Sequence, residues 1–263
     1  MNKLLLILKV KILSFTILIA LLQISCTIYE RTTYNSNQIA GVYFNLEAAR
    51  KSPMKVEYLI LNNKDLTTLP DEIYKMKNLG HLRIMYHDTL DLGDLFTKVS
   101  KHPTIKELEI SFFNCKYFPD EILLLNNINK LSIIDSKNID LGYLFEQLSQ
   151  LMNLMYLNIA FGDFNSLPPE IGLLTNIKIL ELGANPIQNI PNEIQRLNIE
   201  KIIFCQYPQY FRLLPIDEKL KLLTLLPNTE IVLFDYQVPV GNRFTLGDRE
   251  VKLTRDNLWE VKK

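Results

Sequence analysis

The chain has 263 residues, of which 48% are hydrophobic and 22% charged, so it supports a large core and is not a disordered polymer. The 29 basic residues balance the 29 acidic ones, and this argues against a nucleic-acid partner, which needs a clustered excess of Lys and Arg. Three scattered His, three Cys and nine Gly without a phosphate-binding motif predict no metal and no cofactor.

Residues 1–25 have the pattern of a secretory signal peptide. Lys3, Lys9 and Lys11 precede an uncharged run over residues 12–24, which is shorter than the ~20 apolar residues that a spanning helix needs. The run ends in Leu22-Gln23-Ile24-Ser25-Cys26, which resembles the lipobox of bacterial lipoproteins. The resemblance implies lipid attachment at Cys26 and export to the bacterial envelope, at the outer membrane or cell surface. An ordinary cleaved signal with Cys26 as an incidental thiol, or an uncleaved anchor, are the alternatives.

The next two segments lead into the folded body. Residues 26–40 are rich in Thr, Asn and Ser, which predicts a flexible tether behind the lipid. Residues 41–55 predict an N-terminal helical cap, in which Asn45 begins a short helix that ends before Pro53. The cap is expected to cover the first strand edge of the body that follows.

A repeat occupies residues 56–206. Motifs of the form LPxEI begin at Leu69, Phe118, Leu167 and Ile190, and an apolar-x-apolar pair typical of a short strand precedes each of them. Three further strand pairs lack the motif. Seven units result, which start at Val56, Leu79, Ile105, Ile128, Leu154, Ile177 and Ile199. The pattern resembles the leucine-rich-repeat superfamily, and its LPxEI form resembles secreted bacterial lipoproteins of that superfamily.

This resemblance implies an α/β solenoid, with parallel strands on the concave face and short helices or turns on the convex face. Asp91 and Asp140 are expected to cap convex helices over 93–101 and 142–151, and the motif prolines to open short helical turns. The superfamily usually has an asparagine five residues after the first strand leucine. Here only Asn185 fits, so the sequence predicts no asparagine ladder at that place.

The C-terminal part predicts an irregular last repeat and cap over residues 207–235. It contains an apolar helix over 216–226 and a terminal strand over 231–234. Residues 236–263 predict a strand-rich tail with a small hairpin or meander, because turn dipeptides separate its short apolar runs.

No group of residues predicts catalysis. His81, His87 and His102 have spacings unlike a metal motif and are expected to be structural or solvated. Cys115 and Cys205 fall in turns four strand spacings apart, about 19 Å on the usual ladder, so both are expected to be free thiols.

The strand face supplies the predicted binding site, because its outward side chains alternate with the buried leucines. Tyr86, Phe112 and Phe161 share one column of the expected register, and large apolar groups on such a face are the usual anchors of a protein contact. The nine predicted partner-binding residues are Arg83, Met85, Tyr86, Glu109, Phe112, Ile134, Asn158, Phe161 and Glu181. Scattered surface aromatics without a binding role are the alternative.

The resulting hypothesis is a noncatalytic, envelope-tethered module that binds a protein, or a glycan, through its concave face. It contacts the membrane through the N-terminal lipid alone and does not bind nucleic acid. The alternative is a structural or assembly component of the envelope that acts by lateral packing.

Overall fold

The computed structural model of the chain describes residues 40–62, 65–85, 89–206, 214–235 and 250–252; for residues 205, 206, 233–235 and 250–252 it describes the backbone alone. The predicted signal peptide, Cys26 and most of the tether lie outside the described residues, as do Tyr86, His87 and most of the C-terminal tail. The chain is divided into two compact units, residues 1–42 and residues 43–263. Only residues 40–42 of the first unit are described.

Parallel strands in sequence order form the sheet of the second unit. Each strand from β2 to β8 pairs in parallel with the next one along the chain, and β10 pairs antiparallel with β9. The strands are β1 Val42–Tyr43, β2 Tyr58–Leu61, β3 His81–Met85, β4 Glu107–Ser111, β5 Lys130–Ile134, β6 Tyr156–Ala160, β7 Ile179–Glu181, β8 Lys201–Gln206, β9 Glu230–Asp235 and β10 Glu250–Lys252.

The register places equivalent residues of successive units side by side. Leu59 is opposite Leu82, which is opposite Leu108, and the same position continues through Leu131, Leu157 and Leu180. All six leucines are at most 1% exposed. Since side chains of a strand alternate between its faces, the residues on either side of these leucines point away from the core. The predicted strand register is therefore confirmed.

Helices and helical turns connect the strands on the opposite side of the core. The α-helices are α1 Leu46–Lys51, α2 Leu92–Lys101, α3 Leu141–Leu148 and α4 Ile216–Leu225. Short 3-10 turns are Pro53–Lys55, Asp71–Lys75, Asp120–Leu124, Pro169–Leu173 and Asn192–Arg196. The last four follow the motif prolines, as the sequence predicted. Helix α3 ends earlier than expected, because Ser149 and Gln150 form a turn.

The predicted helix caps are present. The side chain of Asn45 accepts a hydrogen bond from the Ala48 amide at 2.7 Å. Asp91 accepts from the Asp94 amide at 3.0 Å, and Asp140 accepts from the Tyr143 amide at 3.1 Å. Each side chain satisfies an N–H group that the first helical turn leaves without an intrahelical partner.

Asn185 bridges adjacent turns after the strand. Its side-chain oxygen accepts from the Gly162 amide at 2.9 Å, and its side-chain nitrogen donates to the Ile159 carbonyl at 2.8 Å. Both partners belong to the preceding unit, so this single side chain links the backbones of two turns.

A second set of bridges, which was not predicted, occurs one residue before several of the unit starts. Asn78 donates to the Met54 carbonyl at 2.7 Å, Thr104 to the Leu79 carbonyl at 2.8 Å, and Asn153 to the Asn126 carbonyl at 2.7 Å. The signal was present in the sequence, since Asn precedes the unit start at Asn78, Asn127, Asn153, Asn176 and Asn198.

Candidate functional site

Three columns of side chains cover the strand face, one from each outward position of the strands. The first column runs along the register through Tyr58, His81, Glu107, Lys130, Tyr156, Ile179, Lys201 and Glu230. The predicted site began at the second outward position and missed this column. The same alternation that identified the second and third columns also predicts the first.

The first column forms a continuous chain of side-chain contacts across five strands. The rings of Tyr58 and His81 stack at 4.0 Å between centroids with 14° between planes. Nδ1 of His81 lies 3.3 Å from Oε2 of Glu107, and Nζ of Lys130 lies 3.4 Å from the same oxygen. Nζ of Lys130 also lies 4.6 Å from the centroid of the Tyr156 ring. These contacts fix alternating aromatic and charged groups in one row.

His81 is neutral at pH 7. Burial lowers its pKa from 6.5 to about 4, with Lys130 and Arg83 acting in the same direction, and this outweighs the opposing effect of Glu107. In the neutral ring that fits the contact with Glu107, Nδ1–H donates to the carboxylate and Nε2 is left as an acceptor. Nε2 is buried, and the described residues give it no hydrogen-bond partner.

The second column contains a tight ion pair between its second and third residues. Nε of Arg83 lies 2.8 Å from Oε1 of Glu109, and these side chains are 20% and 14% exposed. Glu181 is half-buried and hydrogen-bonds the Tyr156 hydroxyl, and burial together with this contact raises the pKa of Tyr156. Asn158 is also half-buried. The charged residues of the predicted site thus contact each other or the first column.

The third column is less accessible than the sequence predicted. Met85 is only 3% exposed, so the expectation that it is an exposed anchor was wrong; its neighbour Ser111 is 1% exposed. Ile134 is half-buried. The strand pattern gives the direction of a side chain but not the neighbours that cover it, which is why exposure could not be read from the register.

A corner of left-handed backbone follows the third column. Phe112, Asp135, Phe161 and Ala184 occupy the same place in successive units and have φ values of 64°, 49°, 59° and 54°. The amides of Phe112 and Asp135 each donate to the next turn at 2.9 Å, which extends the ladder one residue past the strands. Phe161 is 36% exposed, Phe112 is half-buried, and burial raises the pKa of Asp135.

Cys115 and His102 are reactive side chains outside the three columns of the strand face. Burial raises the pKa of the Cys115 thiol, which favours the protonated form. His102 is 1% exposed and its Nε2 lies 2.9 Å from the Ile73 carbonyl, in accordance with the predicted structural role. Across the described ranges, no group of three or more His, Cys, Asp or Glu could hold a metal ion, and no helix has the length and apolar character to span a bilayer.

Known proteins resemble this chain in structure. No protein-family model and no curated protein sequence matches it. The chain is similar to TLR13 in its complex with ssRNA13, with a TM-score of 0.51 and 16% identity over 70% of this chain and 26% of that one. The chain has a leucine-rich-repeat fold. At this level of identity, the similarity concerns the fold alone.

Two further solved structures have lower TM-scores. A leucine-rich-repeat protein of Leptospira interrogans gives a TM-score of 0.41 at 20% identity, over 76% of this chain and 60% of that one. An internalin from Listeria monocytogenes gives 0.41 at 14% identity, over 70% of this chain and 56% of that one. The chain thus spans less than two thirds of the length of each of these proteins.

Proposed function

We propose that this leucine-rich-repeat protein is a noncatalytic binding module that is exported, anchored by lipid at Cys26, and recognises a protein partner through its strand face. Solenoids present extended concave surfaces of this kind, to which every unit contributes side chains. The binding surface is the first two columns together with Phe161 at the corner. Tyr86, which the sequence also assigns to this surface, lies outside the described residues.

The observation that carries the proposal is the contact chain from Tyr58 to Tyr156. Its aromatic and charged groups are held by stacking and ion pairs before any partner arrives, so less side-chain freedom is lost on binding. Aromatic anchors bordered by charges of both signs fit a protein surface, where the aromatics contribute affinity and the charges contribute orientation.

The charges of the first two columns favour a protein partner over a nucleic-acid partner. Glu107 and Glu109 lie beside Lys130 and Arg83 on the strand face, and phosphate backbones would meet repulsion from the carboxylates. A glycan is the second candidate, because stacked aromatic rings and buried polar atoms such as Nε2 of His81 also suit a sugar.

A matched pair of lysine variants tests the binding surface. Lys130 and Lys137 belong to the same unit, and Lys137 is exposed in the turn after the strand. The full chain carrying Lys130→Ala should capture at least about ten-fold less partner from envelope extracts, because it loses a charge contact and the cation over Tyr156. The full chain carrying Lys137→Ala should capture the normal amount.

Each of three outcomes would contradict one part of the proposal. Equal capture by the two variants would exclude the strand face. Loss of self-association on Lys130→Ala, with no other partner captured, would support the assembly alternative. Capture that a soluble oligosaccharide competes away would replace the protein partner with a glycan.

The lipid anchor has an independent test. Metabolic labelling with a fatty-acid analogue should tag the wild-type chain and should fail to tag a Cys26→Ala variant. Labelling of the Cys26→Ala chain would show that the lipid is attached at another residue. Absence of label on the wild-type chain would show that the N-terminus is an ordinary signal peptide without a lipid.

A further inference from the structure

One side of the solenoid concentrates positive charge. This surface, here the pre-strand flank, consists of the exposed side chains from four residues before to one residue after each of the seven unit starts. Its exposed basic residues are Lys55, Lys75, Lys77, Lys101, Lys106 and Arg196, and its exposed acidic residues are Glu57 and Glu200. The whole chain has 29 basic and 29 acidic residues, so the positive charge of the flank is a local excess.

The same flank also carries most of the exposed apolar side chains. Nine large hydrophobic side chains are exposed in the described part of the chain, and five of them belong to the flank. They are Met54 at 57%, Leu124 at 48%, Met152 at 69%, Met155 at 50% and Leu173 at 41%. All five are long and unbranched at the β-carbon, so they can adapt to a fluid surface.

The opposite side of the solenoid differs. The post-strand flank comprises the exposed side chains six to twelve residues after each unit start. Among the described residues it holds two exposed lysines, Lys116 and Lys137, against three exposed aspartates, Asp65, Asp91 and Asp163. The segregation of lysine and methionine to one flank is therefore not a property of all the turns.

Backbone contacts hold the pre-strand residues of successive turns next to each other. The Asn129 amide donates to the Lys106 carbonyl at 2.9 Å, the Met155 amide to Asn129 at 2.9 Å, and the Lys178 amide to Met155 at 2.7 Å. Neighbouring side chains in this row are thus about one strand spacing apart, ~5 Å. The flank is a continuous strip rather than a set of separate residues.

The strip pairs its own backbone polar groups. Asn78, Thr104 and Asn153 donate to carbonyls of the preceding turn, as described above, and Asn127 donates to the Ile105 carbonyl at 3.1 Å. Carbonyls that already have a partner cost less to remove from water. The carbonyls of Met54, Leu79, Ile105 and Asn126 therefore keep a hydrogen-bond partner when the strip lies against a low-dielectric phase.

We propose that the pre-strand flank lies on an anionic phospholipid bilayer. The lysines would meet lipid phosphates while Met152, Met155 and their neighbours enter the headgroup region, the arrangement by which basic and apolar side chains hold peripheral proteins at an interface. The inference rests on the lipid anchorage proposed at Cys26, which brings the body to a bilayer. It adds a second contact, and it leaves the strand face turned to the side and open to a partner.

Lysine labelling of the full chain on vesicles tests the proposal. The purified chain is added to preformed vesicles of phosphatidylcholine with or without phosphatidylglycerol, recovered by flotation, and treated with a membrane-impermeant amine reagent. Mass spectrometry then gives the labelling rate of each lysine. In anionic vesicles Lys77 and Lys106 should react at least about three-fold more slowly than in neutral ones, and about 0.5 M salt should reverse the effect. Lys116 and Lys137 should be unchanged.

A methionine variant separates insertion from charge attraction. The combined Met152→Ser and Met155→Ser changes should remove most of the protection of Lys106, because the apolar contact is lost. Leu220→Ser in α4, at 39% exposure elsewhere on the chain, is the matched control and should keep the protection.

Two outcomes overturn the proposal, and a third contradicts the anchorage on which it rests. Equal labelling of both flanks in anionic and neutral vesicles excludes the bilayer contact. Protection that appears in detergent and rises with protein concentration assigns the flank to contact between copies. Failure of the chain to float with vesicles contradicts the anchorage rather than the flank, because flotation reports the anchor and labelling reports the flank.

Discussion

His81 connects the strand face to pH. Its folded-state pKa of about 4 lies below the unfolded-state value of 6.5, because the ring is buried between Tyr58 and Glu107. As pH falls from 6.5 toward 4, the unfolded chain takes up a proton that the folded chain does not, so stability is lost over this window. The loss of stability is absent above pH 6.5 and amounts to at most about 3.4 kcal/mol below pH 4.

We expect His81→Gln to remove this pH dependence. Urea unfolding of the wild type between pH 7 and pH 4 should show a steeper fall in unfolding free energy than that of the variant, which carries no titratable ring. Parallel curves for the two proteins would mean that His81 is protonated in the folded state within this range.

Asn185 is the residue on which one turn most depends. Replacing it with alanine leaves the Gly162 amide and the Ile159 carbonyl without their side-chain partner. We expect Asn185→Ala to lower the unfolding free energy by about 2–3 kcal/mol, measured by urea denaturation. Asn165→Ala, at an exposed turn position, is the control and should stay within about 0.5 kcal/mol of wild type. If both changes lowered the unfolding free energy equally, the hydrogen bonds of Asn185 to the preceding turn would not contribute to stability.

Among the convex turns, close approach between neighbours explains the glycine that directly follows one LPxEI motif. A Cβ added to Gly172, in the 3-10 turn Pro169–Leu173, would lie 2.7 Å from the Glu193 carbonyl oxygen of the next turn. That oxygen is backbone, so it cannot move aside without shifting the turn. The glycine is therefore required by the spacing of adjacent convex segments.

Gly172→Ala should destabilise the protein by about 1–3 kcal/mol, as a clash in a packed interior does. Gly80 is the matched control, since its added Cβ would be 3.9 Å from the nearest atom, the Glu57 oxygen. Thermal unfolding of Gly80→Ala should follow that of wild type. A melting temperature for Gly172→Ala equal to that of Gly80→Ala would indicate that the convex segments are not held at the described distance.

At the scale of the whole molecule, the repeat made the fold predictable. Leu59 and its equivalents must be buried in every unit, and each unit repeats the pattern, so the strand register followed from the sequence with few alternatives. Asp91 and Asp140 were predictable as caps because capping depends on local sequence.

The binding surface was only partly predictable. The direction of Met85 followed from the strand alternation, but its 3% exposure depends on neighbours that periodicity does not reveal. The left-handed backbone at Phe112 and Phe161 could not be predicted, because the usual indicator of such a conformation is a glycine and both residues are aromatic. The pairing of Arg83 with Glu109 required the register between two strands and the conformations of both side chains.

We propose that the strand face, and not another side of the solenoid, contacts the partner. Tyrosines provide a matched set of positions, since Tyr58 and Tyr156 are in the first column, whereas Tyr117 and Tyr143 are exposed at 52% and 37% away from it. Photo-crosslinking in intact cells, with p-benzoylphenylalanine in place of each tyrosine in turn, tests the claim. We predict an adduct with one and the same protein from positions 58 and 156 and none from 117 and 143. Adducts from 117 or 143 alone would contradict it.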